Sequence, residues 1–260
     1  MDWKAAVLDL DGVVYRGEDP VQGSSEAIER MREAGRSIRF LTNNATRTRE
    51  EYSEKLSRMG IPTRPDEVLT SGVATAIYIS RTMKKGRVYA IGSASLGIEL
   101  AREGLELVEW KRAEVVVVSL DRQFSYQKLY DAMRAVRNGC PLVSTNKDPT
   151  MPDEDGAVPG AGAIASAVEV ASGVSSTLVG KPSTIVLSVA ERTWGLERNA
   201  TLIVGDRLDT DIAAGNSFGW RPILVLSGST PESELERELP ALLRPSAAYR
   251  NLYQFSSAEL

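Results

Sequence analysis

Ala5-Ala6-Val7-Leu8-Asp9-Leu10-Asp11-Gly12-Val13 holds four apolar residues, then two carboxylates spaced i and i+2, then a glycine. The apolar run reads as a short buried strand. Along a strand, residues i and i+2 point the same way, so Asp9 and Asp11 stay close together past the strand end. Two ionised carboxylates held side by side are costly, and a cation between them removes that cost. The other reading is an acidic turn after a strand, since Asp-Gly is a common turn pair. The rest of the chain has to decide.

Three more strand ends carry chemistry-bearing residues. The run Ile38-Arg39-Phe40-Leu41 is a second strand, ending in Thr42-Asn43-Asn44 before a helix over 49–59. A hydroxyl and amides at that place suit an anion, or else cap the helix. The strand 177–179 ends in Gly180-Lys181-Pro182-Ser183. A lysine there is either a solvated side chain or an anion ligand. The strand 200–204 opens onto Gly205-Asp206-Arg207-Leu208-Asp209-Thr210-Asp211. Three carboxylates in so few residues suit a cation, although Asp209 is explained as well by the positive end of a helix.

Composition narrows the chemistry. The 260 residues carry 31 Lys and Arg against 35 Asp and Glu, a net charge of −4 that does not indicate a nucleic-acid partner. There is no histidine, so acid–base work falls to carboxylates, lysine or tyrosine. Cys140 stands alone, which excludes an intrachain disulfide and a cysteine zinc site and makes a reduced, cytoplasmic setting the natural expectation. Met1-Asp2-Trp3-Lys4 shows no signal-peptide pattern, and no apolar run is long enough to span a bilayer.

The remaining elements alternate. A helix capped by Ser24 or Ser25 should run to Glu33, and another over 73–83. From Gly86 to about Val174 a second alternation begins, with strands at 88–91 and 115–120 and helices over 96–103 and 125–137. Leu142-Val143 begins a further strand. The stretch 146–162 reads as a long loop rich in Pro, Gly and Asp, which is more often functional than idle. A small-residue helix follows over 163–171. Strands at 222–226 and 246–249 then complete the sheet.

Alternating strands and helices predict an α/β fold with a Rossmann-like, doubly wound parallel sheet. Chemistry in such sheets collects beyond the carboxyl ends of the strands, where all four marked sites fall. Carboxylates for a hard cation such as Mg²⁺, with a hydroxyl, amides and one ammonium for an anion, point to phosphate.

The order of motifs resembles the haloacid dehalogenase superfamily, and specifically its phosphatases with a large cap between the second and third motifs. Asp9-Leu10-Asp11-Gly12-Val13, Thr42-Asn43-Asn44, Lys181 and Gly205-Asp206 through Asp211 match its four motifs in order. The insert resembles the cap of the NagD, 4-nitrophenylphosphatase and phosphoglycolate phosphatase group at Leu120-Asp121-Arg122, Tyr126-Gln127-Lys128-Leu129, Thr145-Asn146-Lys147-Asp148 and Pro159-Gly160-Ala161-Gly162. The resemblance implies a catalytic core at 1–78 and 179–260 and a smaller α/β cap at 79–178. It implies Asp9 as nucleophile, forming an aspartyl-phosphate, and Asp11 as acid and then base. Thr42, Asn43, Asn44 and Lys181 would bind the phosphoryl group. Asp9, Asp11 (through its backbone carbonyl), Asp206 and Asp211 would hold or orient Mg²⁺. Asp121, Arg122, Asn146 and Asp148 are the polar candidates for leaving-group selection. The substrate would be a small phosphorylated metabolite: phosphoglycolate, glycerol phosphate, pyridoxal phosphate, a nucleoside monophosphate or an aryl phosphate. A homodimer is a further expectation from the family.

A dehalogenase shares the nucleophile but has no need of Asp11. A phosphomutase or other phosphotransferase would use the same aspartyl-phosphate. A non-catalytic phospho-ligand-binding protein would be expected to lack Asp9 or Asp11, and both are present.

Overall fold

The computed structural model describes residues 3–153 and 156–260. It divides into two compact units, one of residues 1–42, 49–69 and 190–260, the other of residues 43–48 and 70–189.

The first unit is built on a six-stranded sheet. The strand order runs Ala247–Tyr249, Arg221–Val225, Thr201–Gly205, Ala5–Leu8, Ser37–Thr42, Val68–Thr70. Ala5–Leu8 lies in the middle, parallel to both neighbours, which is why all four of its residues are buried and why it reads as an unbroken apolar run. The order changes direction at this strand, the place where doubly wound sheets hold their ligands.

Helices cover the sheet by their apolar stripes. In Ser24–Glu33 the buried positions are Ser24, Ala27, Ile28 and Met31, the i, i+3, i+4, i+7 face of a helix. Ala27, Ile28 and Met31 join Leu8, Phe40, Val204, Ile223 and Phe255 in one core. Each buried Ile, Leu or Phe of this kind contributes roughly 1.5–3 kcal/mol. Neither Ser24 nor Ser25 caps the helix. Gly23 takes the cap position at φ 78°, and Ser24 Oγ donates instead to the Val14 carbonyl at 2.9 Å.

The second unit has its own five-stranded parallel sheet, in the order Thr177–Leu178, Leu142–Ser144, Val115–Val118, Arg87–Ile91, Glu106–Leu107. Its core joins Ile91, Val116 and Val118 to Ala132, Ala135 and Val136 of the Tyr126–Arg137 helix and to Ile164, Ala165 and Val168 of the Ala161–Ser172 helix. Two expectations need correction here. The stretch 146–162 is not an unstructured loop. It forms an antiparallel hairpin of Thr150–Asp153 with Gly156–Pro159, whose Pro and Gly content hid the pairing. The helix expected over 73–83 starts at Ser71, capped by Thr70, and loosens into a π-helical turn over Tyr78–Met83. No helix among the described residues is long and apolar enough to cross a membrane.

Candidate active site

Strand register builds the acidic centre. Leu8 pairs with Val204, and the Asp9 N–H donates to the Val204 carbonyl at 2.9 Å. Asp9 and Asp206 therefore leave two adjacent parallel strands at almost the same height. Asp211 follows within the short π-helical turn Leu208–Ile212. One carboxylate oxygen from each of Asp9, Asp206 and Asp211 lies within 4.8 Å of the other two. Asp206 and Asp211 are buried and Asp9 is half-buried.

Backbone and hydroxyl donors hold this cluster. The Ser229 N–H donates to Asp206 Oδ2 at 2.6 Å. Asp211 Oδ2 accepts from the Arg207 N–H at 3.3 Å and Thr210 Oγ1 at 3.1 Å. Asp9 Oδ1 accepts from the Leu10 N–H at 2.8 Å. These donors aim the carboxylate oxygens of the cluster. Three oxygen donors this close fit a hard divalent cation, which takes carboxylate ligands and keeps waters for the rest of its shell. The Asp11 side chain is not part of the triad, which separates it from the direct carboxylate ligands. Asp209 is exposed and forks with Arg207 at 2.8 and 3.1 Å; it lies outside the cluster, in the first turn of Leu208–Ile212, where the positive end of a helix favours an acid.

A loop that was not legible in the sequence closes the back of the cluster. Ser227-Gly228-Ser229 follows the Arg221–Val225 strand, and Ser227 Oγ donates to the Gly12 carbonyl at 2.7 Å. A Cβ on Gly228 would sit 2.1 Å from Asp206 Oδ2, and one on Gly12, which has φ 76°, would sit 2.5 Å from it. Both glycines let backbone approach a carboxylate more closely than any side chain allows. The only signal in the sequence was a Ser-Gly-Ser turn after a strand, which is common in proteins of every kind.

Thr42 ends the Ser37–Thr42 strand, on the other side of Ala5–Leu8, and is buried at 3 % exposure. It belongs to the first unit with the acidic triad.

The second unit gathers the other marked residues around Asn43. Its Oδ1 accepts from the Lys181 N–H at 2.8 Å, and its Nδ2 donates to the Lys181 carbonyl at 3.0 Å and to Asp148 Oδ2 at 3.1 Å. Asn146 Nδ2 donates to the Asn43 carbonyl at 2.8 Å, and Asn146 Oδ1 accepts from the Asp148 N–H at 3.1 Å. The Asn43 side chain thus clamps the backbone of Lys181, whose own side chain is buried with only 2 % of the residue exposed. Asn44 turns inward on its own loop, its Oδ1 accepting from Thr46 N and Oγ1 at 3.0 and 2.7 Å.

Asp121 and Asn146 follow two adjacent parallel strands, Val115–Val118 and Leu142–Ser144. Asp121 is buried, bonded to Lys128 Nζ at 2.7 Å and to the Gln123 N–H at 2.8 Å. Its first task is to hold that turn against the Tyr126–Arg137 helix. Arg122, next to it, is exposed.

Comparison with known proteins decides what these groups belong to. Residues 6–106 match the family model of haloacid dehalogenase-like hydrolases, and residues 178–254 match a second model described as HAD-hydrolase-like. An acid sugar phosphatase from Staphylococcus aureus is 39 % identical over 251 residues, 96 % of this chain and 95 % of that protein.

The chain belongs to the haloacid dehalogenase-like hydrolases.

Within that superfamily it is a NagD-like phosphatase, a phosphoric monoester hydrolase. The p-nitrophenyl phosphatase from Archaeoglobus fulgidus superposes with a TM-score of 0.94 at 33 % identity, over 99 % of this chain and all of that one. A glycerol phosphate phosphatase from Mycobacterium tuberculosis, solved in complex with calcium, superposes with a TM-score of 0.90 at 30 % identity, over 97 % of this chain and 74 % of that one. Haloacid dehalogenase phosphatases use a divalent metal, and the Asp9, Asp206 and Asp211 cluster is a suitable place for one.

Proposed function

We propose that this phosphatase hydrolyses the phosphomonoester of a small sugar or polyol phosphate, with Mg²⁺ as its cation and an aspartyl-phosphate on Asp9 as intermediate. The observation that carries this is the carboxylate triad beyond two adjacent parallel strands, with buried Thr42 ending a third. The substrate class is taken from relatives that bear the names acid sugar phosphatase and glycerol phosphate phosphatase.

Asp9 attacks phosphorus as the bond to the leaving oxygen breaks, and Asp11 gives that oxygen its proton. Water then attacks phosphorus, Asp11 takes the proton, and the bond between Asp9 and phosphorus breaks to release inorganic phosphate. Asp9, Asp206 and Asp211, with the Asp11 backbone carbonyl, would hold or orient Mg²⁺, whose charge lets a carboxylate approach a phosphate dianion. Thr42, Asn43 and Lys181 are assigned the phosphoryl oxygens on their chemistry and on the family resemblance. Residues 79–178 are assigned leaving-group selection, with Arg122 as its exposed cation. The negative net charge, the lone Cys140 and the absence of histidine agree with a cytoplasmic enzyme of carboxylate chemistry.

The test is phosphate release across glycerol phosphate, sugar phosphates, phosphoglycolate, pyridoxal phosphate, nucleoside monophosphates and 4-nitrophenyl phosphate. Activity should vanish with EDTA and return with Mg²⁺. Full activity in metal-stripped protein would overturn the role of the cation, and no release from any ester would overturn the hydrolase reading.

A further inference from the structure

The amino end of the Ser37–Thr42 strand and the segment 62–67 enclose an open cleft of about 670 Å³ within the first unit. Thr42 lies at the opposite end of that strand. Five residues of extended chain, about 16 Å, separate the cleft from the catalytic end. Four arginines line it, Arg32, Arg36, Arg39 and Arg64, against one carboxylate, Glu67.

Local bonds account for only part of the Arg32 and Arg39 guanidiniums. Arg32 Nη1 donates to the Pro62 carbonyl at 2.6 Å and Arg39 Nη1 to the Ile38 carbonyl at 2.8 Å. Arg36 donates to the Trp3 carbonyl and lies over the Trp3 ring, 5.0 Å from its centroid. Arg64 forks onto Asp66 at 3.0 and 3.3 Å. Glu67 is divided among three partners, at 3.8 Å from Arg32, 3.6 Å from Arg39 and 3.7 Å from Arg64. Its Oε2 also accepts from the Arg64 backbone N–H at 2.8 Å. Even with Asp66 counted, the three guanidiniums of Arg32, Arg39 and Arg64 face two carboxylates. Arg32 Nη2 and Arg39 Nε are buried atoms with no hydrogen-bond partner. Burial pushes the Arg32 guanidinium below its ordinary range, and Arg39 and Arg64 add to that push against the pull of Glu67.

Buried donors left unmatched, in a region of surplus positive charge, call for an anion with several acceptor oxygens. Arginine forks suit phosphate in geometry as well as charge. The Ser57 and Thr63 residues in the lining add hydroxyls. The volume is that of a small-molecule site. We propose that this cleft binds a phosphate-class oxyanion, free or carried on a small ester, at a second site separate from the acidic triad.

Calorimetric titration with inorganic phosphate in EDTA removes the cation-dependent site, and the arginine variants assign the remaining binding to the cleft. One saturable site is expected, weakening with added salt. Arg39→Gln and Arg32→Gln should each weaken it about tenfold or more, the loss of one charge-assisted hydrogen bond. Arg39→Lys keeps the charge without the fork and should fall between Gln and wild type. Glu67→Gln should tighten binding, a change that a purely structural role for these arginines does not produce. Glycerol phosphate distinguishes the sources. Equal affinity assigns the site to the free phosphate group, and a clear preference for the ester assigns it to a metabolite. Absence of saturable binding in folded wild-type protein would overturn the proposal. So would binding left unchanged by both Gln variants and by Glu67→Gln.

Discussion

Gly228→Ala tests whether the loop behind Asp206 sets the metal site. The added Cβ would lie 2.1 Å from Asp206 Oδ2, 2.4 Å from its Cβ and 2.5 Å from its Cγ, where ordinary contact begins near 3.4 Å. The difference, 3.4 − 2.1, is a forced movement of about 1.3 Å. Rotating the carboxylate does not relieve it, because the Asp206 Cβ, at 2.4 Å, is itself well inside contact distance. Either Asp206 or the loop must shift, and both break the 2.6 Å bond from the Ser229 N–H. Displacement of a catalytic group by about 1 Å costs on the order of a hundredfold in rate. The expected result is a kcat/KM about a hundredfold below wild type and a higher Mg²⁺ concentration for half-activation. The assay is initial-rate phosphate release over a Mg²⁺ titration, with a thermal melt run beside it. A folded variant with wild-type kcat and the same Mg²⁺ dependence would refute the role given to this loop.

Asp9→Asn replaces the attacking oxygen and one ligand of the triad, so turnover should fall by several orders of magnitude with folding retained; a kcat within about tenfold of wild type, some 1.4 kcal/mol, would exclude a covalent role for Asp9. Arg122→Ala should raise KM for an acidic substrate such as phosphoglycolate by roughly ten- to a hundredfold and leave a neutral aryl phosphate unchanged; equal losses on both would place Arg122 in folding or cap closure. The fork from Arg198, at 2.8 and 2.8 Å, holds the Glu191 carboxyl below the usual carboxylate range despite its partial burial. A depressed folded value stabilises above the unfolded value of 4.5 and is lost as pH falls through the folded one. Glu191→Gln should therefore lower the melting temperature by about 2 °C at neutral pH, and the gap should shrink as pH falls below 4.5; a constant gap at every pH would show that lost packing, not charge, carries the effect.

The strand-end motifs were legible because a buried parallel strand advertises itself. Val7-Leu8 and Ile203-Val204 have no polar residue to spare, so the first carboxylate after each marks the sheet's edge. Asp9, Thr42 and Asp206 could be placed there from the sequence, and the register of three strands agrees. The second unit's alternation was legible for the same reason. Its hairpin Thr150–Asp153/Gly156–Pro159 was not, since Thr150, Gly156, Ala157 and Pro159 are exposed and Met151 and Val158 only half-buried, so no buried face marks the strands.

Local pattern by itself determined the α/β class, the strand ends and the residue types available for phosphoryl chemistry, because periodicity and turn chemistry act over a few residues. Tertiary structure alone decided which of those residues meet. It took Asp209 out of the acidic cluster and kept the Asp11 carboxylate outside the triad. It tied Asn43, through its side chain, to the backbone of Lys181, 138 positions along the chain. It set Gly228 against Asp206 and brought Arg32, Arg39 and Arg64 around one carboxylate. Such contacts depend on chain packing across long sequence separations, where a single backbone clash or unshared charge outweighs any local preference.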